Sequence, residues 1–248
     1  MPNPWDAVKA GYLRLVEPVI AYLVRRGANP NVITTIGTGC MITAAVIFAS
    51  GHIRIAGWVL GVTAIFDVLD GNVARRSGRQ TKFGAFYDSS LDRISDGALL
   101  AGLTVFYATD TSRHSVEMVV VCLAAILGTF VTSYTRARAE GLGIDAKVGL
   151  IQREERVVLL AVPQALFGLA FDGWVLSTII TLLAVTSWIT VVQRIRFVHR
   201  VTSARATTAR AALLESAHAP SPEPTLAAKP SGSTADGAPT PVHAHSPR

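Results

Sequence analysis

The sequence predicts an all-α fold, a polytopic membrane bundle of six transmembrane helices preceded by an amphipathic surface helix. Three observations carry that expectation. Half of the 248 residues are hydrophobic while only 16% are charged, and the apolar residues gather into runs matching the roughly 20 residues a membrane-crossing helix needs. Basic residues concentrate in alternate connections between those runs. The acidic residues inside the second and third runs recur at helical spacing, i, i+3 and i, i+4.

The elements follow in order. Residues 5–25 mix Trp5, Val8, Leu13, Val16, Ile20 and Leu23 with Asp6, Lys9, Arg14, Glu17 and Arg25, the pattern of an amphipathic helix lying on a membrane surface. The segment lacks the basic start, compact apolar run and small-residue cleavage site of a signal peptide, so residues 1–29 are read as a juxtamembrane helix. Pro30 then breaks the chain. Apolar runs at 32–50, 53–74, 83–107, 116–138, 156–171 and 174–193 supply the six spans of one domain over 30–200, the fifth being short and tilted or extended by its polar flank. Cys40 and Cys122 fall inside spans, where thiols act as packing residues. Residues 201–248 hold seven of the twelve prolines and no aromatic residue, so this Ala, Pro and Ser-rich tail is expected to be disordered. His243 and His245 lie within it and are not read as a metal pair.

Charge sets the expected orientation. Arg75, Arg76, Arg79 and Lys82 lie between spans 2 and 3, and Arg136, Arg138, Lys147, Arg153 and Arg156 between spans 4 and 5, whereas the opposite connections carry Arg54 and Arg113. The positive-inside rule then puts both termini in the cytoplasm of a multi-pass cell-membrane protein. The net charge of +6 follows from this topology and from contact with anionic membrane lipids, with no nucleic-acid partner implied.

Asp67 and Asp70 near the end of span 2, with Asp88 and Asp92 near the start of span 3, open toward that cytoplasmic face. Four carboxylates facing lipid would cost roughly 10 kcal/mol or more on insertion scales, so they must face inward toward positive charge. Two neighbouring helices can aim both pairs at one point. Hard oxygen donors without Cys or His suit Mg2+, with Mn2+ the alternative, and four carboxylates suffice for two ions. Gly71 and Gly84 sit one turn from Asp67 and Asp88 on the same faces, where a missing side chain admits a bulky ligand. Arg75 continues the first stripe and suits a phosphate oxygen. The competing readings are polar residues that merely stabilise a bundle, or a proton relay in a transporter. Neither requires the glycines or the Ala74-Arg75 step.

Asp67-x2-Asp70-Gly71-x2-Ala74-Arg75-x8-Gly84-x3-Asp88-x3-Asp92 resembles the signature of the CDP-alcohol phosphotransferase family, with each of its eight fixed positions filled within 26 residues. The resemblance implies that an alcohol attacks the β-phosphoryl of a CDP-linked lipid and releases CMP. Carried residue by residue, it implies Asp67, Asp70 and Asp88 as metal ligands, and Asp92 as general base with a second role on metal. Gly71, Ala74, Arg75 and Gly84 would contact the CDP moiety. Pro30, Asn31 and Thr34 resemble, more loosely, an N-terminal segment bordering the nucleotide.

The acceptor is read from other residues. Ser133, Arg136 and Arg138 end span 4, Arg153 and Arg156 open span 5, and Arg194 closes span 6 at the same membrane face. Topology alone accounts for arginines at these ends, but several converging beside the acids form a phosphate pocket, because guanidinium grips phosphate through paired hydrogen bonds. The acceptor is then itself a phosphate ester. The Asp92-Arg93-Ile94-Ser95-Asp96-Gly97 run and the segments around Ser133, Arg153 and Arg194 resemble actinobacterial phosphatidylinositol phosphate synthases over about residues 10–198, with Arg136 where Lys is common. That resemblance implies CDP-diacylglycerol as donor, 1D-myo-inositol 3-phosphate as acceptor and a homodimer. Glycerol 3-phosphate as acceptor and a cation-coupled transporter are the alternatives. Asp96 receives no role beyond a structural hydrogen bond.

Overall fold

The computed structural model describes residues 16–146, 148–151 and 153–218, and among these every regular element is helical. Helix α1 covers 16–25; the rest of the expected N-terminal helix, 5–15, lies outside the described residues. It is followed by α2 (Pro30–Ala49), α3 (Ile53–Arg76), α4 (Lys82–Thr109), α5 (Val116–Glu140), α6 (Arg153–Phe167), a 3-10 turn (Phe171–Gly173) and α7 (Trp174–His218). Helices α2 to α7 stand where the six apolar runs were expected. Three stretches, Pro30–Ala49, Val116–Glu140 and Phe171–Arg210, are long and apolar enough to cross a membrane by length and composition. The other three carry the site's charges: Asp67 and Asp70 on α3, Asp88, Asp92 and Asp96 on α4, and Arg153 and Arg156 on a 15-residue α6 that also contains Pro163.

Local chemistry fixes the helix starts that matter for the site. Asn29 caps α2 by accepting from the Asn31 N–H, with Pro30 at the first turn where its missing donor costs nothing. Thr81 caps α4 by accepting from the Gly84 N–H at 2.9 Å, so the signature glycine sits in the first turn. Ser115 caps α5 through the Met118 N–H. Arg75 and Arg76 lie in the last turn of α3, where positive charge complements the helix dipole.

The contacts divide the chain into Met1–Arg205 and Ala206–Arg248. In the first unit α2 packs on α3 and α4, α3 on α6, and α4 on α5. Phe48, Leu60, Leu103, Phe106, Cys122, Leu160, Leu176 and Ile180 form one core drawn from α2 to α7. Cys40 and Cys122 are both free thiols. Val16 and Ile20 of α1 pack against Ile33, Leu69 and Val73, while Val19 and Tyr22 stay exposed. One face of α1 is therefore buried on α2 and α3. Glu17 accepts from Arg76 Nη2 at 2.8 Å, and Arg79 Nη1 donates to the Gly27 carbonyl at 2.7 Å. At the other end of the bundle, Arg113 Nη1 meets Asp172 Oδ1 at 2.6 Å and ties the α4–α5 connection to the turn before α7.

The boundary expected near residue 200 lies close to the division at Arg205–Ala206, while α7 itself continues to His218. The extension is rich in Ala and has no Gly or Pro before Pro220, so helix propensity outweighs the lack of a core. Residues 202–210 are exposed along it. The remainder of the expected tail, including His243 and His245, lies outside the described residues.

Two glycines allow the closest helix approaches. A Cβ at Gly102 would stand 2.2 Å from the Ala45 carbonyl oxygen of α2, and one at Gly57 2.4 Å from the Ala165 nitrogen of α6. Gly39 has open space instead. Gly102→Ala is expected to destabilise the detergent-solubilised protein by about 1–3 kcal/mol through backbone displacement, while Gly39→Ala is neutral or stabilising by up to about 1 kcal/mol. Thermal unfolding of both variants checks this; equal melting temperatures would mean that α2 and α4 are not held this closely.

Candidate active site

The ends of α3 and α4 that face their shared connection carry the acidic residues. On α3, Asp67 and Asp70 project one turn apart. On α4, Asp88 and Asp92 do the same. They lie within electrostatic reach of one another: Asp70 of Asp88 and Asp67, Asp88 of Asp67, and Asp92 of Asp88 and Asp67. Asp70 is the most enclosed, and Thr34 Oγ1 on α2 donates to its Oδ2 at 2.7 Å. Thr34 also donates to the Pro30 carbonyl at 3.1 Å, so the start of α2 is joined directly to a signature acid.

Among the described residues no three acidic, His or Cys side chains form a group fit to hold a metal ion. The guanidinium of Arg153 lies among the acids. Its Nη1 donates to Asp67 Oδ2 at 2.6 Å, and its Nη2 stands 3.0 Å from Asp92 Oδ1. Carboxylates gathered in an apolar bundle repel one another and require a counter-charge, and the nearest fixed cation supplies it. Arg93 contributes a longer contact, 3.9 Å to Asp92 Oδ2. The donor set itself, oxygen-only and mutually repelling, fits hard divalent cations.

Around the acids the remaining donor-side residues fall close together. A Cβ on Gly84 would stand 3.4 Å from Asn31 Oδ1 and 3.1 Å from Thr81 Oγ1, and one on Gly71 3.7 Å from Arg75 Nη1. Arg75 therefore lies along the bare face of Gly71, exposed at its outer side, with Ala74 half-buried beside it. Two residues the sequence reading did not select join this rim. Tyr87 Oη and Thr35 Oγ1 share a hydrogen bond of 2.8 Å linking α4 to α2, and Tyr87 stacks on Phe83.

The arginines divide into two sets. Arg153 and Arg156 both reach Asp96, at 3.5 and 3.6 Å, and Arg156 Nη1 donates to Thr129 Oγ1 of α5 at 3.2 Å. Arg194 is buried and lies within electrostatic reach of Arg136, Arg156 and Arg93, but it spends donors on protein: Nε on the Val148 carbonyl at 2.9 Å, and Nη1 on the Thr132 carbonyl. It pins α7 to α5 and to the α5–α6 connection. Ser133 and Arg136 share a face of α5, where Arg136 pairs with Glu140 at 2.9 Å. Arg138, two residues on, is exposed on a different side of the helix. The sequence reading gave Asp96 a structural hydrogen bond only and did not select Thr129; the i, i+4, i+8 run of Asp88, Asp92 and Asp96 is the signal that marks Asp96.

Residues 28–193 match the CDP-alcohol phosphatidyltransferase family. The chain is 37% identical over 193 residues to a phosphatidylinositol phosphate synthase of Mycobacteroides abscessus, covering 75% of this chain and 84% of that protein. With the enzyme of the same name from Cutibacterium acnes it is 35% identical over 200 residues, covering 77% and 96%. Its fold is similar to the crystal structure of Mycobacterium tuberculosis phosphatidylinositol phosphate synthase with CDP-DAG bound, with a TM-score of 0.68, 35% identity and coverage of 75% and 94%. The complex of that enzyme with manganese and citrate gives a TM-score of 0.66 at 35% identity, covering 73% and 87%. The matched region contains the entire acid, glycine and arginine signature of α3 and α4, and the chain belongs to the CDP-alcohol phosphatidyltransferase family.

Proposed function

We propose that this chain is a CDP-diacylglycerol-dependent phosphatidyltransferase, a phosphatidylinositol phosphate synthase that moves the phosphatidyl group to 1D-myo-inositol 3-phosphate and releases CMP. The observation that carries the reading is the complete eight-residue signature at the facing ends of α3 and α4, within a chain 35–37% identical to such synthases over about three quarters of its length. The acceptor hydroxyl forms a new P–O bond to the lipid-linked phosphorus, the bond to CMP breaks, and Asp92 takes the hydroxyl proton. Asp67, Asp70 and Asp88, with Asp92 in a second role, would hold two Mg2+ ions, or Mn2+ as in the related complex. Bound there, the metal would polarise the diphosphate and neutralise the leaving CMP. Gly71 and Gly84 leave room for the diphosphate, Arg75 and Ala74 border it, and Pro30, Asn31 and Thr34 line the nucleotide side.

Arg153 has a double task in this scheme. Without acceptor it neutralises Asp67 and Asp92; a phosphate ester arriving between α4 and α6 competes for its donors and exposes Asp92 as a base. Arg156, Arg136 and Ser133 complete the basic rim, with Arg194 bracing it and Arg138 at its edge. All six helices α2 to α7 span the cell membrane, the short α6 with its polar flank included, with α1 at its cytoplasmic surface. The site and both termini face the cytoplasm, where the basic connections lie, and membrane lipids surround a homodimer.

Asp92→Asn is expected to abolish CMP release while CDP-diacylglycerol still binds, because three carboxylates remain. Asp67→Asn and Asp70→Asn should instead weaken donor binding and metal dependence together. Donor binding and turnover measured for all three variants, with and without EDTA, decide the assignment; activity that persists in EDTA would rule out the metal role.

The acceptor is tested by CMP release with inositol phosphate, glycerol 3-phosphate and free inositol at equal concentration. Inositol phosphate is expected to be preferred and free inositol to be poor, since each unmatched charged hydrogen bond costs about 1.5–3 kcal/mol. Arg153→Ala should lose most of the discrimination for phosphate. Preference for glycerol 3-phosphate would overturn the acceptor, and indifference of Arg153→Ala to phosphate would overturn the pocket.

A further inference from the structure

Asp96 stands one turn beyond Asp92 on α4, outside the eight-residue signature, yet its side chain is only 14% exposed. Its two oxygens meet the two arginines at the start of α6 separately: Oδ1 lies 3.5 Å from Arg153 Nε and Oδ2 3.6 Å from Arg156 Nη2. These are ion-pair separations, too long for hydrogen bonds. The Nε atoms of both arginines are buried and make no hydrogen bond. Arg153 and Arg156 are three residues apart on one helix face, so their charges repel. Two buried guanidinium groups side by side need an anion between them, and Asp96 is placed there from the neighbouring helix.

A carboxylate with a purely structural task would close tight paired hydrogen bonds with such partners. Asp96 does not. It offsets the repulsion while holding Arg153 Nε only at ion-pair distance and leaving the buried Arg156 Nε–H without a hydrogen bond, a donor that an incoming anion can complete. Thr129 holds Arg156 from the opposite side, through α5.

We infer that Asp96 is a positioning residue that sets Arg153 and Arg156 side by side to receive the phosphate of the acceptor. The inference rests on the phosphatidyltransferase reading above and adds to it the residue that arranges the acceptor side. Asp96 touches neither substrate; it acts through the two arginines, and the donor side on α3 is left to its own residues.

The test uses the full chain in detergent with Mg2+, comparing wild type with Asp96→Asn and Asp96→Glu. CMP release is followed while inositol phosphate is varied at saturating CDP-diacylglycerol, and the reverse. Asp96→Asn is expected to raise the KM for inositol phosphate about tenfold, equivalent to about 1.4 kcal/mol, with the KM for CDP-diacylglycerol changed less than about twofold. Asp96→Glu, which keeps the charge, should recover most of the lost acceptor affinity. An unchanged acceptor KM in Asp96→Asn overturns the inference. So does a parallel loss for donor and acceptor, or a variant that no longer folds, either of which would make Asp96 a structural ion pair only. A wild-type chain that releases no CMP with any phosphorylated acceptor overturns the phosphatidyltransferase reading and this inference together, whereas an active wild type with an indifferent Asp96→Asn overturns this inference alone.

Discussion

Five carboxylates gathered inside a helical bundle are the constraint on which the rest of this structure depends. Asp67, Asp70, Asp88, Asp92 and Asp96 cannot be held together in apolar surroundings without compensating positive charge and hydrogen-bond donors. The bundle supplies them from three further helices: Thr34 on α2, and Arg153 and Arg156 on α6, with Arg156 braced by Thr129 on α5. Helices α2 to α6 are thus joined at one place by charge and hydrogen bonding, in addition to the apolar core that joins them elsewhere. The short length and low hydropathy of α6 follow from the same demand, since its first turn must carry Arg153-Glu154-Glu155-Arg156.

That arrangement suits phosphoryl transfer between two charged substrates. The donor's diphosphate and the acceptor's phosphate both bring negative charge to a site already rich in acids, so positive charge must be present on each side and must be shareable. Metal held by the α3 and α4 carboxylates serves the donor side in the proposed scheme. In the same scheme Arg153 and Arg156 serve the acceptor side. Because Arg153 contacts Asp67 and Asp92 as well as Asp96, one side chain connects the two halves, and in the proposed scheme occupancy of the acceptor site alters the charge around the base. Close packing supports this precision: Gly102 and Gly57 let α4 and α6 approach α2 and α3 to backbone contact, which leaves little freedom for the acids to drift apart.

The sequence by itself determined the helices and the spacing of the carboxylate signature. Apolar run length and the alternation of basic connections place α2 to α7, because both are local properties of the chain. The signature from Asp67 to Asp92 is equally legible, since i, i+3 and i, i+4 spacing puts each pair on one helix face whatever the tertiary structure does. The helix runs past the boundary read near residue 200 for a related reason: lack of a core does not mean lack of helix, and the Ala-rich stretch to His218 forms one by its propensity.

Only the tertiary structure decided how the arginines are used. Six candidate acceptor residues looked equivalent in sequence, yet Arg153 bridges α3 and α4, Arg194 is spent on the Val148 and Thr132 carbonyls, and Arg138 faces away from Arg136. Asp96 gained its place in the site only when α6 was packed against α4. A basic residue at a helix end satisfies the topology rule in any orientation, so its sequence position says nothing about its partner. Which carboxylate, carbonyl or open space a guanidinium meets depends on residues dozens of positions away, and that is settled by packing of the helices against one another.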